Sequence, residues 1–157
     1  MVDQGPMPRD RDTPIRKERV EEPVVQHETR VAINADTDIV VARQQGRTLA
    51  ERAGFAGSDL TVIATAISEV ARNILEHAKK GEIVLRFVNQ SGKNGIVVVA
   101  LDEGPGIPDI ASAMQDSYST SRGLGLGLPG TRRLMDEFQI VSKVGKGTTV
   151  TMKKWKR

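Results

Sequence analysis

"EIVLRFVNQSGKNGIVVVALDEG", residues 82–104, is the stretch on which the fold turns. Two runs rich in Val, Ile and Leu, "EIVLRFVNQ" (82–90) and "GIVVVALDEG" (95–104), are separated by "SGKN" alone. A connector that short, polar and carrying Gly92 and Asn94, closes a β-hairpin; a parallel crossover needs about a dozen residues or more. The C-terminal end repeats the arrangement, with "QIVSKVG" (139–145) and "TTVTMKKW" (148–155) meeting at "GKG". Toward the N-terminus, "VVQHETRVAI" (24–33) reads as a further strand with partial alternation.

Between the first strand and the first hairpin the period changes. In "NADTDIVVARQQGRTLAERAG" (34–54), Ile39, Val40, Ala42, Arg43, Leu49 and Ala53 recur at roughly helical spacing. Asp36 or Thr37 suits its N-cap and Gly54 its end. A second helix is predicted over 58–81, capped by Ser58 and closed by Lys79, Lys80 and Gly81. Its apolar stripe is Leu60, Ile63, Ala64, Ile67, Val70, Ala71 and Ile74. Residues 105–127 are rich in Gly, Ser and Pro, and a third helix starts near Leu128, with Pro129 in its first turn, and runs through "GTRRLMDEF". The strands therefore come in antiparallel pairs rather than βαβ units. This predicts an α+β two-layer sandwich, a mixed, mostly antiparallel sheet with about three helices on one face. A doubly wound nucleotide fold is disfavoured.

With 157 residues and 38% hydrophobic content, the chain suits one compact domain, expected over 24–157. Residues 1–23 are polar, charged and punctuated by prolines, and are expected to form a disordered tail. The absence of cysteine excludes disulfides and thiolate metal sites and fits a reducing cytoplasm. No apolar run approaches the ~20 residues that span a bilayer, and the first residues lack the apolar core of a secretory signal. The net charge is +3, and the basic residues concentrate at the two ends, as in "RKER" (16–19) and "KKWKR" (153–157), which read as solvated runs. Aromatics at 3% leave little to stack on bases, so no nucleic-acid partner is expected.

Four stretches carry chemistry. In "SEVARN" (68–73), Glu69 and Asn73 stand one helical turn apart on one face, beside the apolar stripe. A carboxylate there can take a proton from a hydroxyl, and an amide oxygen suits a hard cation such as Mg²⁺; an exposed helix edge would look the same. In "LDEGPGIPD" (101–109), Asp102 ends an apolar strand and can accept from an exocyclic amine, while Gly104 and Gly106 let a flat ring approach; a plain turn with Pro105 and Pro108 is the other reading. In "STSRGLGLGLPG" (119–130), glycine amides and a helix N-terminus can face phosphate, with leucines anchoring the loop. In "GKGTTV" (145–150), the Thr148 hydroxyl can share a hydrogen bond with Asp102, or simply serve β propensity.

Taken together and in this order, "E-x3-N", "D-x-G-x-G", "G-x-G-x-G" and "G-x-G-T" resemble the Bergerat-fold (GHKL) ATPases, which include gyrase subunits, heat-shock chaperones and histidine kinases. "TAISEVARNI", "DEGPGIPDI" and "STSRGLGLGLPGTRRLMDEF" in a short chain are most similar to the RsbT-type serine/threonine switch kinases of the stressosome, and less so to the SpoIIAB and RsbW anti-sigma kinases. The resemblance implies ATP and Mg²⁺ as cofactors. It implies Glu69 as general base, Asn73 as Mg²⁺ ligand, and Asp102 on the adenine amino group with Gly104, Gly106, Ile107 and Thr148 around the base. It places Arg122, Gly123, Leu124, Gly125, Leu126 and Gly127 at the phosphates, within a mobile lid over 116–127. It implies STAS-domain antagonists as substrates and a PP2C-type phosphatase as the activated target. The alternative is an anti-sigma factor that sequesters a sigma factor, with kinase activity secondary. A histidine-kinase reading is disfavoured, because His27 lies in a strand and His77 at a helix end rather than on a helical hairpin.

Overall fold

The computed structural model describes residues 22–115 and 127–157. Five strands, β1 (Val24–Ile33), β2 (Gly81–Gln90), β3 (Lys93–Asp102), β4 (Glu137–Lys143) and β5 (Gly147–Trp155), form one sheet in the order β1-β2-β3-β5-β4. The mostly antiparallel sheet expected is antiparallel at each of its four ladders. The first hairpin closes on Ser91 and Gly92, both at positive φ (54° and 83°), the two-residue turn that matches strand twist.

Register explains the core. Val31, Ile83, Ala100, Val150 and Ile140 form one row across the sheet, and Leu85, Val98, Met152 and Phe138 belong to the next. These rows face helices α1 (Asp36–Arg52) and α2 (Ser58–Ala78), whose apolar stripes complete one buried cluster. Every residue of the expected α2 stripe is buried, each large aliphatic contributing about 1.5–3 kcal/mol on leaving water. The opposite face carries Glu28, which accepts from Arg86 Nε (2.7 Å) and Arg30 Nε (3.1 Å), while Arg30 Nη1 also reaches Glu82 (3.1 Å). The Arg86 hydrogen bond, with help from Arg30, holds the Glu28 carboxyl below the usual carboxylate range.

The helix ends differ from the sequence expectation for local reasons. Neither Asp36 nor Thr37 caps α1: Ala35 is the cap, and Asp38 reaches back to accept the N–H groups of Asn34 (2.8 Å) and Ala35 (3.0 Å), the acidic half of a capping box. Gly54 ends α1 as expected, at φ 101°. The N–H of Gly54 bonds Glu51 O and that of Phe55 bonds Ala50 O (both 3.0 Å), a Schellman closure. Gly57, not Ser58, caps α2, because its φ of 62° and ψ of −136° suit glycine alone. α2 stops at Ala78 rather than residue 81: Lys79 turns left-handed and Gly81 already pairs with Asp102 in β2.

Two further corrections concern the third helix and the stretch before it. The helix Gly127–Leu134 (α4 here) ends four residues earlier than expected. The Asp136 N–H bonds Lys153 O (2.9 Å) and its carboxylate accepts the Trp155 N–H (2.8 Å), which draws Glu137 and Phe138 into β4. A short helix α3 (Ile110–Ala113) forms inside the stretch read as loop. Asp109 caps it by accepting the Ser112 N–H (3.1 Å) and hydroxyl (2.8 Å), and the Ser112 bonds, hydroxyl first, hold its carboxyl low. Ile107, Ala113 and Leu128 bury a second small cluster there, against Ile110, Met114, Phe138 and Ile140. Among the described residues no helix is long and apolar enough to cross a membrane. The expected tail falls almost wholly outside the described residues.

Candidate functional site

Helix α2 supplies one wall. Glu69 lies where α2 meets α4, and its side chain keeps only 10% exposure. Its Oε2 accepts from Arg72 Nη1 at 2.8 Å and its Oε1 accepts the Gly127 N–H at 3.1 Å. The carboxylate is thus held at the N-terminal end of α4, where unpaired amides and the helix dipole favour negative charge. Asn73 sits one turn on, half-buried. Its amide makes no hydrogen bond among the described residues, so its oxygen is available as a ligand. No cluster of three or more acidic or histidine side chains suited to a metal occurs among the described residues. A single amide oxygen nonetheless fits Mg²⁺, which keeps several waters and takes the remaining oxygens from phosphate.

The end of β3 supplies the second wall. Asp102 Oδ1 accepts the N–H of Gly104 (2.9 Å) and of Thr148 (3.2 Å). Two backbone donors on one oxygen fix the carboxylate and leave Oδ2 for an incoming donor. The glycines around it answer to the protein's own packing. A Cβ on Gly104 would lie 2.5 Å from Ala78 Cβ, and one on Gly106 (φ 82°) 2.3 Å from Lys143 O. At both positions the missing side chain is therefore one that the protein's own packing requires, against Ala78 of α2 and Lys143 of β4. Gly147, at φ 110°, would set a Cβ 2.0 Å from Asp102 O.

The Thr148 hydroxyl does not reach Asp102, contrary to expectation; its backbone N–H does. The hydroxyl lies 2.8 Å from Ser142 Oγ. Ser142 also accepts the Ile107 N–H (2.7 Å) and donates to Gly147 O (3.2 Å). With the single Ser142 proton given to Gly147, Thr148 donates to Ser142 and keeps its own lone pairs for a ligand. Ser142 thereby ties Ile107, Gly147 and Thr148 together.

These pieces lie along one line. Gly104 packs on α2 at His77 and Ala78, and Gly127 meets it at Glu69. Eight residues of helix separate those contacts, roughly 12 Å at 1.5 Å per residue, with Asn73 midway. The structure thus sets Glu69, Asn73, Gly104 and Gly127 along one stretch of α2, joins Asp102 to Gly104 and Thr148, links Ile107 to Thr148 through Ser142, and packs Gly106 on Lys143. Arg122, Gly123, Leu124, Gly125 and Leu126, with the lid expected over 116–127 apart from Gly127, lie outside the described residues. A hollow of about 650 Å³ beside Asp102 is lined by Ala78, Lys80, Glu82 and Thr149 among others, and neither Glu69 nor Asn73 lines it.

Residues 33–154 match the histidine kinase-like ATPase domain. The chain belongs to that family. Within it the chain is 52% identical over 127 residues to the serine/threonine-protein kinase RsbT of Bacillus subtilis (strain 168), covering 81% of this chain and 96% of that one. It is therefore an RsbT-type serine/threonine kinase. It is 35% identical over 102 residues to the anti-sigma F factor of Thermoanaerobacter sp. (strain X514), covering 62% of this chain and 71% of that one. The RsbU and RsbW domains of a Mycobacterium tuberculosis protein share the fold, with a TM-score of 0.57 at 20% identity, over 82% of this chain and 32% of that one.

Sequence reasoning about this histidine kinase-like ATPase domain missed Ser142 and Arg72. Ser142 sits in a strand with nothing nearby to mark it. Arg72 was visible three positions after Glu69, a spacing that allows an ion pair, but spacing alone does not choose it over solvent.

Proposed function

We propose that this kinase uses Mg·ATP to phosphorylate serine or threonine on STAS-domain antagonists in a bacterial partner-switching module, and that, once released, it binds and activates a PP2C-type phosphatase. The observation that carries the reading is the line of groups along α2. A fixed Asp102 carboxylate stands at one end, an uncommitted Asn73 amide in the middle and a nearly buried Glu69 carboxylate at the other end.

Asp102 Oδ2 accepts from the adenine amino group, with Thr148 and Ile107 beside the base. Asn73 holds Mg²⁺, which when bound neutralises the phosphate oxygens. Gly127, whose N–H holds Glu69 Oε1, marks the end of the line where the phosphates would lie; the phosphate contacts expected of Arg122, Gly123, Leu124, Gly125 and Leu126 fall outside the described residues. Glu69 accepts the proton of the acceptor hydroxyl as that oxygen bonds the γ-phosphorus and the bond from the γ-phosphorus to the β-phosphate oxygen breaks, releasing ADP. Little covalent work falls to the protein in such a transfer; positioning and charge do most of it. Residues 24–157 act as one catalytic domain in this reading.

The test mixes the purified chain with Mg·ATP and STAS-domain proteins. Phosphoserine or phosphothreonine on the STAS partner is expected. ATP binding with no transfer to any STAS protein would overturn it. The likeness to anti-sigma F factors supports a second reading, in which sequestration of a sigma factor is the main act. A stable complex with a sigma factor, formed by the Glu69→Gln variant as well, would favour it.

A further inference from the structure

Arg72 stands three positions after Glu69 on α2, with its Nη1 2.8 Å from Glu69 Oε2. The partners differ in exposure: the Glu69 side chain is 10% exposed and that of Arg72 38%. An ion pair open to water on both sides contributes little. Here the acid is nearly covered and the cation reaches it from the rim. The other carboxylate oxygen takes the Gly127 N–H at 3.1 Å. The terminal torsion of a glutamate is broad and roughly twofold, so one donor leaves the carboxylate free to turn. A donor on each oxygen fixes its plane, and each oxygen keeps a second lone pair that an acceptor hydroxyl can use.

We propose that Arg72 is a positioning residue for phosphoryl transfer: its guanidinium sets the plane of the Glu69 carboxylate so that one free lone pair points at the acceptor hydroxyl. The proposal rests on the reading of Glu69 as general base. Arginine suits the task because its planar fork fixes direction, whereas lysine supplies a point charge. Misplacing a reacting group by about 1 Å can cost on the order of 100-fold in rate.

The test compares Arg72→Met and Arg72→Lys in the full chain, with Mg·ATP and a STAS-domain acceptor. Arg72→Met is expected to lower kcat for transfer by about 10- to 100-fold, with acceptor KM, ATP affinity and melting temperature unchanged, and Arg72→Lys to recover part of the loss. An unchanged kcat overturns the proposal. So does a raised acceptor KM at constant kcat, which would make Arg72 a contact to the acceptor protein. Joint loss of ATP affinity and melting temperature, the mark of a structural role, overturns it too. A second measurement needs no turnover. In protein carrying ¹³C-labelled glutamate carboxylates, the Glu69 resonance, identified by its loss in Glu69→Gln, is expected to move in Arg72→Met and less in Arg72→Lys. An unmoved resonance overturns the proposal. If the unaltered chain transfers no phosphate, or Glu69→Gln transfers at full rate, the general-base reading fails, and the resonance still reports whether Arg72 holds Glu69.

Discussion

The Asp102 end and the Glu69 end of the site are each built around one carboxylate, and the two are held in different ways. Asp102 rides on the last residue of a central strand, and two backbone N–H groups fix the same oxygen. Its neighbours are glycines whose missing side chains let three backbone segments close around it. Glu69 rides on a helix and is held by one flexible side chain and one amide from a separate helix. Backbone donors are part of the sheet and cost no further ordering; the Glu69 arrangement depends on α2 and α4 meeting. The Asp102 end is therefore preset by the backbone, and the Glu69 end is assembled from two helices.

The sharpest way to break this contrast is to alter one carboxylate at a time. Glu69→Gln is expected to cut transfer by about 100- to 10,000-fold while ATP affinity, measured by nucleotide titration, stays as it was. Asp102→Asn is expected to weaken ATP binding by about 10- to 100-fold, the loss of a charge-assisted hydrogen bond. If the two variants gave the same pattern, the ends would not be separate in function. Gly147→Ala probes the preset end more finely. Its Cβ would meet Asp102 O, and a side chain at φ 110° is strained, so a loss of about 1–3 kcal/mol is expected. A lower melting temperature together with weaker ATP binding would show that the hairpin backbone builds this end. A variant with a normal melting temperature would show that the turn gives way.

The smallest effect belongs to carboxylates away from both ends. Glu28 and Asp109 are held below their ordinary range. Each therefore stabilises the fold at pH above its unfolded value and loses that contribution as pH falls through its lowered folded value. Both are exposed, so the change is small. The melting temperature of Glu28→Gln, Asp109→Asn protein is expected to fall less on acidification than that of the parent. An equal fall in the two proteins would mean that other carboxylates carry the acid side.

Much of the fold was legible because its strongest cues are local. The Ser91–Gly92 turn joins two apolar runs with no room for a crossover, so β2 and β3 had to pair antiparallel. The α2 stripe has a helical period and is buried throughout. Helix ends were less legible: Asp38 caps from inside the helix, and Asp136 ends α4 by pairing with Trp155, nineteen residues on. Of the site, Glu69 and Asn73 could be paired by spacing, and Asp102 marked by its place at a strand end. The Thr148 hydroxyl could be read as a partner of Asp102 or as plain β propensity, and Ser142 on β4 takes it instead. The Ser142–Thr148 pairing follows from the β4–β5 hairpin register, but no count along the chain says whether the hydroxyl turns to Ser142 or to Asp102 on β3.

The sequence by itself determined the five strands, the three longer helices and the antiparallel hairpins, because periodicity and short connectors act within a few residues. The tertiary structure alone decided which backbone amides hold Asp102 and that Gly127 and Arg72 grip the two oxygens of Glu69. Those contacts depend on where separately encoded elements come to rest, and that is set by the packing of one shared core rather than by any local stretch.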